Sequence, residues 1–167
     1  LLKQQVNVNA PLPDGATALH WAAQWDDYDM ANALVVAKAD VNIADVYGVT
    51  PLSLACTNGS AQIASLLLRA GANPNAALPS GETPLMTASR TGRPKAVSAL
   101  IERGADVEAK EKTRGQTALM WAAAEKHLEV VNILIDAGAK VNARSNSGYT
   151  PLLFAAQRGD TAVTETL

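Results

Sequence analysis

A short motif returns along this chain at an almost constant interval, and this interval constrains the fold more than any other feature. The motif starts with glycine, has threonine two positions later, and continues into small and apolar residues. It reads GATALHWA, GVTPLSLA, GETPLMTA, GQTALMWA and GYTPLLFA, beginning at Gly15, Gly48, Gly81, Gly115 and Gly148. The intervals are therefore 33, 33, 34 and 33 residues. A period of this length is typical of arrays built from one repeated supersecondary unit.

A second motif keeps the same register. It reads LVVAKADVN, LLRAGANPN, LIERGADVE and LIDAGAKVN, beginning at Leu34, Leu67, Leu100 and Leu134. The one extra residue falls between Ala109 and Gly115, where a loop can absorb it. We therefore predict a single domain, residues 1–167, in which residues 1–10 are the end of a truncated preceding repeat. The predicted repeats that follow are 14–44, 47–77, 80–111, 114–144 and 147–167, the last one truncated.

Each repeat carries the start and stop signals of two short helices. The threonine of the first motif stands where its hydroxyl can accept a hydrogen bond from a free amide at a helix start. Proline follows at Pro51, Pro84 and Pro151, a position where it loses no helical hydrogen bond. Glycines that can end the first helix are Gly59, Gly92 and Gly159. Residues that can cap the second helix are Asp27, Ser60 and Asp160.

The second helix is predicted to end at a glycine with positive φ, namely Gly71, Gly104 or Gly138. The polar segment that follows is long enough only for an extended finger or a hairpin. No repeat can cover its own apolar face, so neighbouring repeats must stack. With 48% hydrophobic residues but only 4% aromatic ones, closely packed helices are favoured over a sandwich rich in rings.

These motifs together resemble the ankyrin repeat, which has a 33-residue spacing and a TPLHxA signature. The resemblance implies an all-α solenoid of helix pairs with short β-hairpin fingers projecting at right angles. Among the departures from the pattern, Asp26 and Lys126 replace the glycine between the helices and Lys38 replaces a terminal glycine. If Lys38 adopts positive φ, it costs on the order of 1 kcal/mol relative to glycine.

Both ends of the chain align with second helices, Leu1 with Leu67 and Leu167 with Leu134. Natural arrays finish with polar capping repeats. We therefore expect either that the chain is part of a longer array or that its ends are disordered. No run of 18 apolar residues and no secretory signal pattern is present, so a soluble protein is expected, with an intracellular location favoured over others.

Nothing in the sequence indicates an enzyme, a cofactor or a metal site. No phosphate loop, CxxC pair, HExxH or GxSxG motif occurs. The resemblance implies that His20 is a structural imidazole between its own helix start and the neighbouring hairpin. His127 is expected to be a solvated turn residue, and Cys56 a small buried hydrophobe. A net charge of −2 gives no attraction for nucleic acid, so the expected partner is another protein, bound by a monomer.

Helical geometry separates a buried and an outward side of the first helix. Trp21 lies about 200° around the helix from Leu19 and aligns with Trp25. The resemblance implies that first helices line the concave side of the array, where partners bind. Two interpretations of Trp21 and Trp121 stay open: they are contact residues, or they are half-buried fillers between adjacent first helices.

The fingers are the second candidate surface, because their tips vary while their framing residues do not. Lys110, Lys112 and Arg114 make one finger basic, which fits either an acidic partner or a finger that is simply solvated. The predicted contact residues are Trp21, Trp25, Tyr47, Arg90, Arg114, Trp121, Tyr149, Phe154 and Arg158. The alternative function is a structural spacer within a larger repeat protein whose activity lies elsewhere.

Overall fold

The computed structural model describes residues 7–167, so the predicted truncated repeat at residues 1–10 lies largely outside the described part. Over residues 7–167 the chain forms ten α-helices and no β-strand. They are α1 (Ala18–Gln24), α2 (Tyr28–Val36), α3 (Pro51–Asn58), α4 (Ala61–Arg69), α5 (Pro84–Arg90), α6 (Pro94–Glu102), α7 (Ala118–Ala124), α8 (Leu128–Asp136), α9 (Pro151–Arg158) and α10 (Thr161–Thr166). No helix in this range is long and apolar enough to cross a membrane.

The helices form pairs that stack in chain order, which confirms the expected all-α repeat array. We call α1, α3, α5, α7 and α9 the first helices and the other five the second helices. Each first helix packs against its own second helix, and each of the first four also packs against the first helix of the next pair. The core lies between the two rows, and a leucine of each of the first four pairs is buried there: Leu19, Leu52, Leu85 and Leu119.

Seven of the eight helix starts at which a capping side chain is expected use that cap. The threonine hydroxyl accepts from the amide three residues later at Thr50, Thr83, Thr117 and Thr150. Second helices begin with the same kind of bond at Asp27, Ser60 and Asp160. At Thr17 the hydroxyl instead contacts His20 Nδ1, at 3.0 Å. An imidazole therefore replaces the usual amide partner at the start of α1.

Positive φ values occur at the positions where the sequence predicts them. Gly71, Gly104 and Gly138, which follow second helices, have φ of 95°, 83° and 90°. The three charged residues that replace glycine adopt the same left-handed conformation. Asp26, Lys126 and Lys38 have φ of 54°, 64° and 66°. The backbone of the repeat is therefore kept even where its favoured residue is absent.

The fingers are closed turns, not the expected β-hairpins, within the described part of the chain. In one finger the Asp45 amide donates to the Val49 carbonyl at 2.9 Å, as in a hairpin. The return bond is missing because the Val49 amide donates to the Asp45 carboxylate at 2.8 Å. A side chain thus takes the place of the second backbone bond, and no ladder extends from the turn.

The extra residue predicted near Ala109 lengthens one of these turns. Elsewhere the glycine amide closes a turn of three residues, as from Gly48 to Asp45, whereas the Gly115 amide reaches Glu111, four residues back. The carboxylate of Glu111 accepts from three backbone amides, those of Thr113, Arg114 and Gln116, at 2.6, 2.7 and 3.1 Å. The longer side chain of glutamate therefore spans the longer loop.

Candidate functional site

All nine predicted contact residues lie on first helices, at their ends or on the fingers, and several line two depressions. The first, of about 310 Å³, is lined by Asp14, Ala16, His20, Trp21, Gln24, Asp45, Val49 and Leu54. The second, of about 340 Å³, is lined by Arg90, Arg114, Gln116, Trp121, Ala124, Glu125, Phe154, Gln157 and Arg158. We call the side of the array that holds both depressions the first-helix groove.

Two tryptophans project from α1 and from the residue that ends it. Trp21 is 44% exposed and Trp25 is 73% exposed, and their rings stack with centroids 6.4 Å apart. Leu19 and Ala23 of the same helix are buried. The core of this helix pair is therefore complete without either indole, so both rings are available at the surface.

The equivalent tryptophan near the other end of the groove is more enclosed. Trp121 is half-buried and packs against the core, and its Nε1 donates to Gln116 Oε1 at 2.8 Å. The Arg90 guanidinium lies 5.4 Å from the centroid of the Trp121 ring, within the range of a cation–π contact. The two tryptophans therefore differ. The ring of Trp21 is exposed, whereas Trp121 fills the gap between helices and also lines the second depression.

The remaining predicted residues surround the groove. Tyr47 is 70% exposed at a finger tip. Tyr149, on the last finger, has its ring centroid 5.4 Å from that of the half-buried Phe154. Arg114 and Arg158 are exposed. The structure thus brings Arg90, Arg114, Trp121, Phe154 and Arg158 to one depression, whereas Trp25, stacked on Trp21, and Tyr47 project outside it.

The hydrogen bonds of His20 give it the structural role that the resemblance implies. The Thr17 amide lies 3.1 Å from Nδ1, and an amide can only donate, so Nδ1 is the acceptor. Nε2 then carries the proton and donates it to the Val49 carbonyl at 3.1 Å. The buried ring therefore joins the start of α1 to the next finger.

Cys56 is fully buried on α3, as expected for a small hydrophobe. Burial raises the pKa of the Cys56 thiol to about 12, because the thiolate would lose its hydration. The reactive form of this side chain is thus disfavoured.

The prediction that His127 is a solvated turn residue is wrong. Its Nε2 lies 3.0 Å from the Arg90 carbonyl of the preceding helix pair. Its ring also lies so close to Gly92 that an added Cβ there would meet it at 2.5 Å. His127 therefore contacts the end of α5, and glycine at position 92 leaves room for the imidazole.

Two of the three cations on the basic finger are engaged with neighbouring fingers. Lys110 Nζ donates to the Arg144 carbonyl at 2.7 Å, and Lys112 Nζ donates to the Pro79 carbonyl at 3.0 Å. These lysines therefore hold three successive fingers together. Among the three cations of this finger, Arg114 is the one whose side chain makes no such bond within residues 7–167.

Sequence reasoning missed a series of hydrogen bonds that connects successive pairs, which we call the Asn ladder. In it a side-chain oxygen accepts from an amide of the next pair, 31 or 32 residues later. The acceptors are Asn9, Asn42, Asn75 and Glu108, with distances of 2.8, 2.8, 2.7 and 2.9 Å. The sequence feature that could have indicated this ladder is the asparagine or glutamate that ends the second motif.

One acidic residue at the start of α2 acts as its cap. Asp27 accepts from the Met30 amide at 2.9 Å, as a helix cap does. Within residues 7–167, no three His, Cys, Asp or Glu side chains are grouped so that they could hold a metal ion.

Comparison with known families gives an independent view of the repeats. A family model described as ankyrin repeats matches the chain three times, over residues 27–111, 72–145 and 108–167. These overlapping matches extend from residue 27 to residue 167. No curated protein matches the chain significantly.

Proposed function

Because this chain belongs to the ankyrin-repeat family, whose repeats are generally protein–protein interaction modules, we propose that it binds another protein along the first-helix groove and the finger tips. The binding is non-enzymatic and depends on surface complementarity. We propose the nine residues of the sequence prediction as contacts: Trp21, Trp25, Tyr47, Arg90, Arg114, Trp121, Tyr149, Phe154 and Arg158.

The observation that carries this proposal is the exposure of Trp25 and Tyr47, at 73% and 70%. Large aromatic side chains leave water when they can, and neither ring contributes to the buried cluster. Tryptophan and tyrosine also dominate binding energy in many interfaces because each buries a large area with few rotatable bonds. A partner that covers these two rings would remove apolar surface that the fold itself leaves in water.

The rigidity of the array supports the same proposal. The Asn ladder, the lysines of the basic finger and His20 all join one helix pair to the next. A surface held in place in this way loses little conformational entropy when a partner binds. We propose that the repeats at 14–44, 47–77, 80–111, 114–144 and 147–167 act together as one continuous binding surface.

A capture experiment with matched aromatic variants tests the proposal. Trp25→Ala, Tyr47→Ala and Tyr149→Ala are combined in one variant, and the chain is used to capture partners that mass spectrometry then identifies. The control combines Tyr28→Ala, Met30→Ala and Val36→Ala, which remove exposed apolar side chains from the second helix α2. We expect the first variant to lose the partner of the wild-type chain and the control to keep it, with both variants folded by circular dichroism.

The opposite result identifies the alternative function. The aromatic variant is the one that combines Trp25→Ala, Tyr47→Ala and Tyr149→Ala. If it captures the same partner as the wild-type chain, or if neither it nor the wild-type chain captures any protein, the groove is not a binding surface. The chain would then act as a spacer that sets the distance between other parts of a larger protein.

A further inference from the structure

We infer that the second depression, between α5, α7 and α9, binds an acidic segment of the partner protein. In this complex, partner carboxylates pair with Arg114 and Arg158, and an apolar partner side chain lies against Trp121 and Phe154. The inference rests on the proposed function and adds the chemistry of the partner and its position in the groove.

Arg90 has the most internal contacts of the three arginines in this depression. Its guanidinium lies over the Trp121 ring and forms an ion pair with Glu82 at 3.5 Å. Glu82 also accepts from the Thr87 hydroxyl at 2.7 Å, which fixes the carboxylate. Arg90 is thus held in place by the fold and forms a positively charged wall.

Arg114 and Arg158 form no ion pair with another side chain of residues 7–167. The ion pairs found within residues 7–167 are Arg90 with Glu82 and Lys140 with Glu108. No hydrogen bond donated by the guanidinium of Arg114 or Arg158 is found in the same range. Glu125 lines the depression as its one carboxylate, against three guanidinium groups. The depression therefore has an excess of positive charge, and guanidinium groups pair well with carboxylates in a planar, two-bond geometry.

Two aromatic rings line the depression and are held in place. Trp121 and Phe154 are half-buried and pack against the core, and the Trp121 indole is oriented by its bond to Gln116. The volume of about 340 Å³ is at the lower end of the range for ligand pockets, and the site is open on the groove side. An extended peptide can therefore place alternate side chains on the rings and on the arginines.

The other end of the first-helix groove has the opposite charge. Asp14 and Asp45 line the first depression beside Trp21, and no lysine or arginine from residues 7–167 lines it. Both carboxylates accept hydrogen bonds from turn amides, which hold them in place beside the depression. An acidic segment is repelled from this end and attracted to the other, so charge determines its position along the groove.

Nuclear magnetic resonance of the three indole N–H groups tests this inference in the full chain. The signals are assigned with Trp21→Phe, Trp25→Phe and Trp121→Phe variants. The probe is a blocked peptide of alternating aspartate and leucine, and its control has asparagine in place of each aspartate. We expect the aspartate peptide to shift the Trp121 signal and to leave the Trp21 and Trp25 signals unchanged, and we expect the asparagine peptide to bind at least about tenfold more weakly.

Charge-reversal variants provide the matched control. Arg114→Glu with Arg158→Glu should weaken binding of the aspartate peptide at least about tenfold. Arg69→Glu with Lys95→Glu makes the same charge change on second helices and should leave the affinity unchanged. Equal binding of the two peptides, shifts at Trp21 instead of Trp121, or no binding at millimolar peptide would each overturn the inference. If inorganic phosphate alone shifted the Trp121 signal as much as the aspartate peptide does, the inference would also be overturned, because the site would then bind a free anion.

The capture experiment separates this inference from the proposed function. If the Arg114→Glu, Arg158→Glu chain captures the same partner as the wild-type chain while the aromatic variant does not, the groove binds a partner but the acidic-segment inference is wrong. If the aromatic variant also keeps the partner, the proposed function itself fails.

Discussion

At the scale of single residues, the repeat imposes backbone conformations that some of its side chains do not favour. Lys38, Asp26 and Lys126 all have positive φ, although only glycine adopts this region without steric cost. Side chains also compensate for local changes, as Glu111 does in the lengthened finger. Each case leads to a substitution whose effect on stability has a definite sign.

Lys38→Gly should stabilise the fold. Lys38 has φ of 66°, is exposed, and makes no side-chain hydrogen bond within the described residues, so glycine removes strain without removing a contact. We expect a gain of about 1 kcal/mol, or roughly 2–4 °C in melting temperature, measured by thermal unfolding. Lys95→Gly is the control: Lys95 is also exposed but lies within α6, where glycine should lower the melting temperature. An unchanged or lower value for Lys38→Gly would contradict both the strain and the register assigned to the first repeat.

Glu111→Gln should destabilise the chain at neutral pH. One carboxylate oxygen would become an amide group that faces backbone N–H donors, so at least one half-buried amide would lose its acceptor. We expect a loss of about 1–3 kcal/mol in the free energy of unfolding, measured by urea titration at pH 7. A difference below about 0.5 kcal/mol would show that the three amides are satisfied without the carboxylate.

The same variant should show a characteristic pH dependence. Burial alone would raise the pKa of Glu111, but bonds from the Gln116, Thr113 and Arg114 amides, with the Arg114 charge, hold it below its ordinary value of 4.5. Folding therefore favours the ionised carboxylate, and its contribution is complete above pH 4.5 and is lost as the pH falls through the lowered pKa. We expect the stability difference between wild type and Glu111→Gln to shrink on acidification, and a difference that is constant with pH would contradict this assignment.

At the scale of elements, side-chain bonds between successive units add to the apolar contacts that stack the helices. Asn75 shows the pattern most completely, because its Oδ1 accepts from the Asp106 amide at 2.7 Å and its Nδ2 donates to the Gly104 carbonyl at 3.0 Å. Asn42 makes the equivalent pair of bonds one unit earlier. The segments that end α4 and α6 are thereby each joined to the unit before them.

Asn75→Ala should weaken the stacking of the third pair on the second. Two exposed hydrogen bonds are lost, so we expect a decrease of about 1–2 kcal/mol in the free energy of unfolding, measured by urea titration. Asn132→Ala is the control, since Asn132 is exposed on α8 and makes no side-chain hydrogen bond within residues 7–167. Equal effects of the two substitutions would show that the Asn ladder adds nothing to stability.

The sequence predicts elements better than the contacts between them. Threonine caps, prolines and glycines act over a few residues, so the helices and their ends follow from the repeated motif. The engagement of Lys110, Lys112 and His127 could not be predicted, because each contacts a backbone group more than 30 residues away and depends on a particular rotamer. For the candidate site, the rotation per residue of an α-helix predicts that Trp21 lies on the outward face. The difference in exposure between Trp21 and the half-buried Trp121 depends on packing and could not be predicted.

At the scale of the whole molecule, stacking of units that cannot cover their own apolar faces creates a long surface with different chemistry at its two ends. One end combines Trp21 with Asp14 and Asp45, and the other combines Trp121 with three arginines. A partner bound along the groove would meet both ends at once, so its charges must match in order as well as in sign.

Amide hydrogen exchange of the chain, free and in complex with its captured partner, tests most directly whether the first-helix groove is the binding surface. We expect slower exchange in the complex at the segments around Trp21, Tyr47 and Trp121, and unchanged exchange in α2, α4, α6 and α8. Protection confined to those second helices, with the groove segments unchanged, would contradict the proposal.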